Sequence, residues 1–153
     1  MIDKFEGEHA FLSNFYPTRL AVFGIVYQNS EAAFQAFKTL DIPTRKNVFS
    51  KATVKEAKKL GRELKLRTDW DFVKLSDMEY VVECKFYQNP ELLQKLIDTG
   101  DEELVEGNTW HDNFWGNCTC EKCRDIPGEN HLGKILMDIR KKYKNQGGND
   151  HDQ

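Results

Sequence analysis

Hydrophobic and polar positions follow two different periods along this chain, and the change of period divides it. "LAVFGIVYQ" carries β-branched and aromatic residues on both sides of Gly24, which predicts two short strands around a turn. From Ser30 the spacing becomes helical. "SEAAFQAFKTLD" predicts a helix capped by Ser30 and ended before Pro43, because the residue preceding a proline resists helical dihedrals. Thr53 and Glu56 form a capping-box pattern ahead of Ala57, Leu60 and Leu64, and Ser76 with Glu79 forms another opening a helix through "SDMEYVVECKFYQ". Asn89 and Pro90 start a shorter helix that Gly100 terminates. "HLGKILMDIRKKY" sets Leu132, Ile135, Leu136, Ile139 and Tyr143 on one face and so predicts a core helix.

Between Glu103 and Glu129 the helical rhythm stops, and 27 residues rich in Trp, Asn, Gly and Cys take its place. Long irregular stretches inside compact domains are usually functional or mobile, and Trp110, Phe114 and Trp115 argue against mobility here. "KNQGGNDHDQ" has the composition of a disordered tail. The expected fold is therefore a single α+β domain over residues 1–144, predominantly helical with a small antiparallel sheet, followed by a disordered tail at 145–153.

Composition narrows the class. The chain has 153 residues, 39% hydrophobic and 31% charged, which suits one globular domain. No apolar run approaches the roughly 20 residues of a spanning helix, and "MIDKFEGEHAFL" lacks the basic-then-apolar order of a signal peptide, so a cytoplasmic location without membrane association is expected. The formal charge of -3 conceals an asymmetry: Arg45 to Arg67 holds nine basic residues against two acids, a local +7 that leaves -10 for the remainder. Such a segment suits phosphates or a nucleic-acid backbone.

Three places could carry chemistry. At 100° per residue, Glu31, Gln35 and Lys38 fall within about 60° of one another, opposite Ala33, Ala36, Phe37 and Leu40. A carboxylate, an amide and an ammonium then share one stripe. "EGNTWHDNFWG" sets Glu106, His111 and Asp112 among aromatic rings, with glycines that permit unusual backbone angles, a mixture able to aim carboxylates at a ligand. "CTCEKC" offers Cys118, Cys120 and Cys123 as candidate ligands of a structural zinc, the fourth coming from Cys84, His131 or His111. Signatures of P-loop and dinucleotide binding, G-x-S-x-G hydrolases and H-E-x-x-H metalloproteases are missing.

Taken in order, "FLSNFYP", "SEAAFQAFK", "LGRE", "DW" at Asp69 and Trp70, "LVEGNTWHDNFWG" and "NHLGKILMDIR" resemble the NADAR family, also called YbiA-like, from about Phe5 to Tyr143. The resemblance implies an N-glycosidase that hydrolyses a bond between ribose C1′ and nitrogen. Some members act on phosphoribosylamino-pyrimidine intermediates of riboflavin synthesis, and others remove ADP-ribose from guanine bases in nucleic acid. Carried over by motif, Glu31, Trp70 and Asp112 are the expected catalytic residues, and Asn14, Lys38, Arg62, Glu106 and Trp115 would bind the ribose-phosphate substrate. Phe11, Phe15 and Tyr16 would be scaffold around Asn14. No cofactor is implied for catalysis. This chain departs from the family in one segment, placing "NCTCEKCRDIPGE" where members often have a short glycine-rich loop.

The implied partners are an ADP-ribose-type or phosphoribosyl nucleotide and, given the basic segment, ADP-ribosylated DNA. Two other classes compete. A non-catalytic module that binds ADP-ribose or a related nucleotide would show saturable binding without turnover. A zinc-braced interaction protein would depend on the cysteine loop alone.

Overall fold

The computed structural model describes residues 1–151, with side chains through Gln146. Its contacts divide the chain into two compact units: Asn14–Gln88, and Met1–Ser13 together with the chain from Asn89 onward. The expected α+β architecture, mainly helical with a small antiparallel sheet, is present. Among the described residues no helix is long and apolar enough to cross a membrane.

The unit from Asn14 to Gln88 opens with the expected hairpin, β1 (Pro17–Val22) antiparallel to β2 (Ile25–Asn29). Phe23 and Gly24 turn it with φ of 50° and 79°, the left-handed pair that matches the twist of the flanking strands. Four helices follow: α1 (Ser30–Ala36), α2 (Ile42–Asn47), α3 (Val54–Glu63) and α4 (Trp70–Tyr87). Leu20, Val22, Tyr27, Ala32, Phe34, Phe49, Ala57, Val81 and Phe86 are buried in this part of the chain.

Several boundaries differ from those the pattern predicts. Asn29, not Ser30, caps α1, its Oδ1 accepting from the Ala32 amide at 2.7 Å. The helix ends at Ala36 instead of running to Asp41, so Leu40 lies exposed. Asp41 then caps the additional helix α2 with Pro43 in its first turn. The Thr53–Glu56 capping box is formed as expected. Ser76, by contrast, is interior to α4, its Oγ donating to the Val73 carbonyl. The true start is Trp70, and the Asp69 carboxylate before it is held by Arg67 in two hydrogen bonds of 2.6 and 2.9 Å. Periodicity conceals that start because α4 is apolar on both sides, with Phe72 90% exposed while Met78, Val81, Val82 and Phe86 are buried.

In the other unit α5 (Pro90–Asp98) packs on α6 (His131–His151), with Leu92, Leu96, Leu132, Ile135, Leu136 and Ile139 buried. Pro90 occupies the first helical turn as predicted, and Gly100 follows the helix at φ 67°. Of the tail expected to be disordered, the last two residues lie outside the described ones, and α6 reaches His151. The 103–129 stretch contains one short parallel ladder, β3 (Gly107–Asn108) beside β4 (Asn117–Cys118), which the pattern did not announce.

Lys85 on α4 is wholly buried, its ammonium 5.1 Å from the Phe86 ring centroid and 5.8 Å from that of Tyr16. Burial pushes its pKa down to about 7 from an ordinary 10.5. A folded pKa below the unfolded one means that unfolding takes up a proton between those two values, so stability attributable to this group rises with pH across that window. Urea melts should show the parent gaining on Lys85→Met by up to about 1.4 kcal/mol per pH unit as pH is raised from 7 to 9. A pH-independent difference would remove this assignment.

Candidate active site

Position starts with Asn14. Its backbone carbonyl accepts from the Glu31 amide at 3.1 Å, and its side-chain Oδ1 accepts from Ser30 Oγ at 3.0 Å. Asn14 Nδ2 donates to Met78 Sδ at 3.3 Å, which ties this corner to α4. The buried asparagine thus holds the first turn of α1, where Glu31 sits. The rings around it divide: Phe11 is buried, whereas Phe15 is 39% exposed beneath the Lys58 ammonium and is less a core anchor than the sequence suggested.

Glu31 is only 8% exposed. Its Oε1 accepts from Gln35 Nε2 at 2.9 Å, one helical turn on, as the stripe requires. Lys38 lies just past the helix, its ammonium 5.9 Å from the Trp70 ring centroid. Desolvation lowers the Lys38 pKa, opposed by the Glu31 charge and reinforced by Arg62. Trp70 itself is buried against Phe34, ring centroids 5.2 Å apart and planes at 49°. Arg62, in the last turn of α3, is exposed.

Glycine at residue 61 of α3 leaves the space in which the Gln35 amide lies. A Cβ there would stand 1.9 Å from Gln35 Oε1 and 3.4 Å from Lys38 Nζ. Gln35 is the residue that motif reasoning left out of the site, although the helical stripe contained it. It is 7% exposed, and its Oε1 is a buried acceptor with no donor among the described residues.

The remaining candidates lie in the other unit. Asp112 Oδ1 accepts from the amides of Phe114 at 3.1 Å and Trp115 at 2.9 Å, while its Oδ2 makes no hydrogen bond among the described residues. Asn108 grips Asp112 from both backbone ends, its Oδ1 accepting from the Asp112 amide at 3.1 Å and its Nδ2 donating to the Asp112 carbonyl at 2.8 Å. The same Nδ2 donates to Glu106 Oε2 at 3.2 Å. Sequence reading missed Asn108; its only signal was an asparagine beside Gly107 in an aromatic loop. A Cβ on Gly116 would lie 1.8 Å from Glu106 Oε2, which accounts for the glycine of "FWG". Trp115 meets the Phe114 ring edge to face at 4.7 Å.

The three cysteines of "CTCEKC" converge on His111, whose Nδ1 lies 3.3 Å from Cys120 Sγ, 3.4 Å from Cys123 Sγ and 4.0 Å from Cys118 Sγ. All four ligand atoms fall within 4.8 Å of one another, a group able to hold a metal ion. His131 instead packs its ring against Phe114, centroids 4.6 Å apart and planes at 51°, and Cys84 belongs to α4. Burial, then hydrogen bonding to Cys120 and Cys118, pushes the Cys123 thiol up to about 11.

The NADAR domain family matches residues 3–144. The chain belongs to the NADAR family. This NADAR domain is 38% identical over 138 residues to an N-glycosidase of Nostoc punctiforme, covering 87% of this chain and 85% of that protein. It is 35% identical over 130 residues to the N-glycosidase YbiA of Escherichia coli, covering 84% and 78%. A riboflavin biosynthesis protein of Vibrio vulnificus is 37% identical over 138 residues, covering 89% of this chain, which spans 36% of that longer protein. The solution NMR structure of Escherichia coli YbiA superposes with a TM-score of 0.78 at 29% identity, covering 96% of this chain and 89% of that one.

Gly61→Ala should expel the Gln35 amide from Glu31. Side-chain NMR should show the Gln35 Nε2 protons, slow to exchange in the parent, exchanging freely in the variant; unchanged signals would contradict the packing of Gln35 against Gly61.

Proposed function

We propose that this chain, an N-glycosyl hydrolase of the NADAR family, cleaves the C1′–N bond of a ribosylated base, first of all ADP-ribose linked to guanine in nucleic acid. The observation that carries the reading is Glu31, a carboxylate buried yet still offered a hydrogen bond by Gln35 and the charge of Lys38. Breaking a C1′–N bond builds positive charge on the sugar, and a preorganised carboxylate stabilises that oxocarbenium-like state. The same carboxylate can take the proton of attacking water. Asp112, with one oxygen committed to its own loop and one open, serves the water or the ribose hydroxyls. Asn14 would act chiefly by holding Glu31, and Lys38 with Arg62 would meet phosphate. The bond-breaking step is assigned no cofactor; a zinc at the His111–cysteine group enters as a structural ion.

The basic segment supports a nucleic-acid substrate. Arg45 is buried, donating to the Ala36 and Thr39 carbonyls, and Arg67 is taken up by Asp69, but Lys46, Lys51, Lys55, Lys59, Arg62 and Lys65 are exposed. A small nucleotide needs only one or two cations. The name of the Vibrio relative favours a second substrate, a phosphoribosylamino-pyrimidine.

Purified parent and Glu31→Gln protein, incubated separately with guanine-ADP-ribosylated DNA and a phosphoribosylamino-pyrimidine, should differ in sugar released, measured by mass spectrometry. The expected result is release from the DNA by the parent and a fall of at least about 100-fold in the variant. Release only from the pyrimidine selects the second substrate. Release from neither, with ADP-ribose still bound, makes the protein a binding module.

A further inference from the structure

We propose that His111, Cys118, Cys120 and Cys123 bind one zinc ion, and that this ion is the positioning device for the Asp112 carboxylate. The metal-binding part stands on the side chains alone; the consequence for turnover rests on the proposed N-glycosidase activity.

The geometry fits zinc closely. Tetrahedral zinc, with bonds of about 2.0–2.1 Å to nitrogen and 2.3 Å to sulfur, separates N from S by about 3.6 Å and S from S by about 3.8 Å. The three N···S separations here, 3.3, 3.4 and 4.0 Å, straddle the first figure. No pair of ligand atoms exceeds 4.8 Å, so a contraction of about 1 Å completes the shell. Three sulfurs and one imidazole fill all four positions, leaving none for water or substrate, so the ion is structural. The backbone is shaped for it as well. His111 holds φ at 69°, an uncommon conformation for a non-glycine residue, and its own amide donates to Cys118 Sγ at 3.3 Å, the bond a metal-bound thiolate accepts. Cys123 N donates to Cys120 O at 3.0 Å, making the tight turn that brings those two thiols together.

The ligands also bracket the catalytic candidate. His111 directly precedes Asp112, and Cys118 lies in β4, paired with Asn108 of β3. Asn108 is the residue that grips Asp112 at both its amide and carbonyl. Asn113 Oδ1 accepts from the Cys118 amide at 2.8 Å. The span from 111 to 118 is therefore pinned at both ends by one ion, and the turn that fixes Asp112 Oδ1 lies inside it. Releasing the ion frees His111 from its strained angle and lets that turn open. Thiol oxidation would do the same, since only thiolates ligate.

Zinc content of the full chain and amide exchange test this directly. Mass spectrometry of metals should find one zinc per chain, lost in Cys120→Ser and in His111→Asn, an exchange that tolerates positive φ. Cobalt substitution should produce the visible bands of a tetrahedral thiolate site. On chelation, exchange at the Phe114 and Trp115 amides should rise at least tenfold, while α1 amides keep their rates. Absence of zinc and of cobalt bands overturns the proposal, and so does bound zinc whose removal leaves Phe114 and Trp115 protected. If turnover is present, chelation should lower kcat at least tenfold and zinc should restore it; undiminished turnover after complete removal also overturns it. Absence of turnover in zinc-loaded parent removes the glycosidase reading instead, and the exchange result still decides the positioning.

Discussion

A carboxylate shielded from water needs compensation, since the effective penalty of burying an ion is several kcal/mol. Glu31 meets this constraint within a few residues: Gln35 donates to one oxygen, and the half-buried Lys38 supplies opposite charge. Around these three, the unit from Asn14 to Gln88 is arranged. α1 is short and begins where Asn14 and Ser30 bind each other, α3 presents a glycine so that its backbone can come near Gln35, and Trp70 closes over Phe34. Lys38 cannot relax into solvent without leaving Glu31 less compensated, and Gln35 cannot turn without surrendering its bond. The same network leaves Gln35 Oε1 against Gly61 without a donor among the described residues, a polar cost carried inside the fold.

The other unit solves a different problem. A stretch of 27 residues without helix must still satisfy its backbone groups, and asparagine side chains do so. Asn108 serves Asp112 and the Trp110 amide, Asn113 serves Cys118, Asn117 serves Gly128, and Asn130 joins Glu106 to Leu104. These bonds replace the ladders that regular elements would provide. The two-residue pairing of β3 with β4 needs such support, because a ladder that short is marginal alone. A metal among His111 and the cysteines would add a covalent-strength clamp at the point where the asparagine contacts thin out.

Local rules made part of this visible. The hairpin turn, the Thr53–Glu56 box, proline at the start of α5 and the Glu31–Gln35–Lys38 stripe each depend on residues a few positions apart, where backbone geometry alone sets who meets whom. Ser76 misled because a capping pattern inside a helix is indistinguishable from one at its start when the preceding turn carries Phe72 outward. Asn29 outcompeted Ser30 as a cap because the Ser30 hydroxyl is committed to Asn14.

The sequence by itself determined the hairpin, most of the helices, the family and the residue types of both candidate groups, since these rest on periodicity and motif order. Tertiary structure decided which alternatives were used. Three residues could have completed the cysteine set, and only His111 has its ring nitrogen within 4.0 Å of all three sulfurs. Gly61 carries no pattern of its own, yet the Cβ it lacks would fall where the Gln35 amide lies. Asn108 carried no distinguishing pattern, because its partners are set by a loop folding back on itself. The physical reason is common to all three: contacts made by chain reversal depend on three-dimensional distance, and sequence spacing encodes distance only within a turn of helix or a pair of strands.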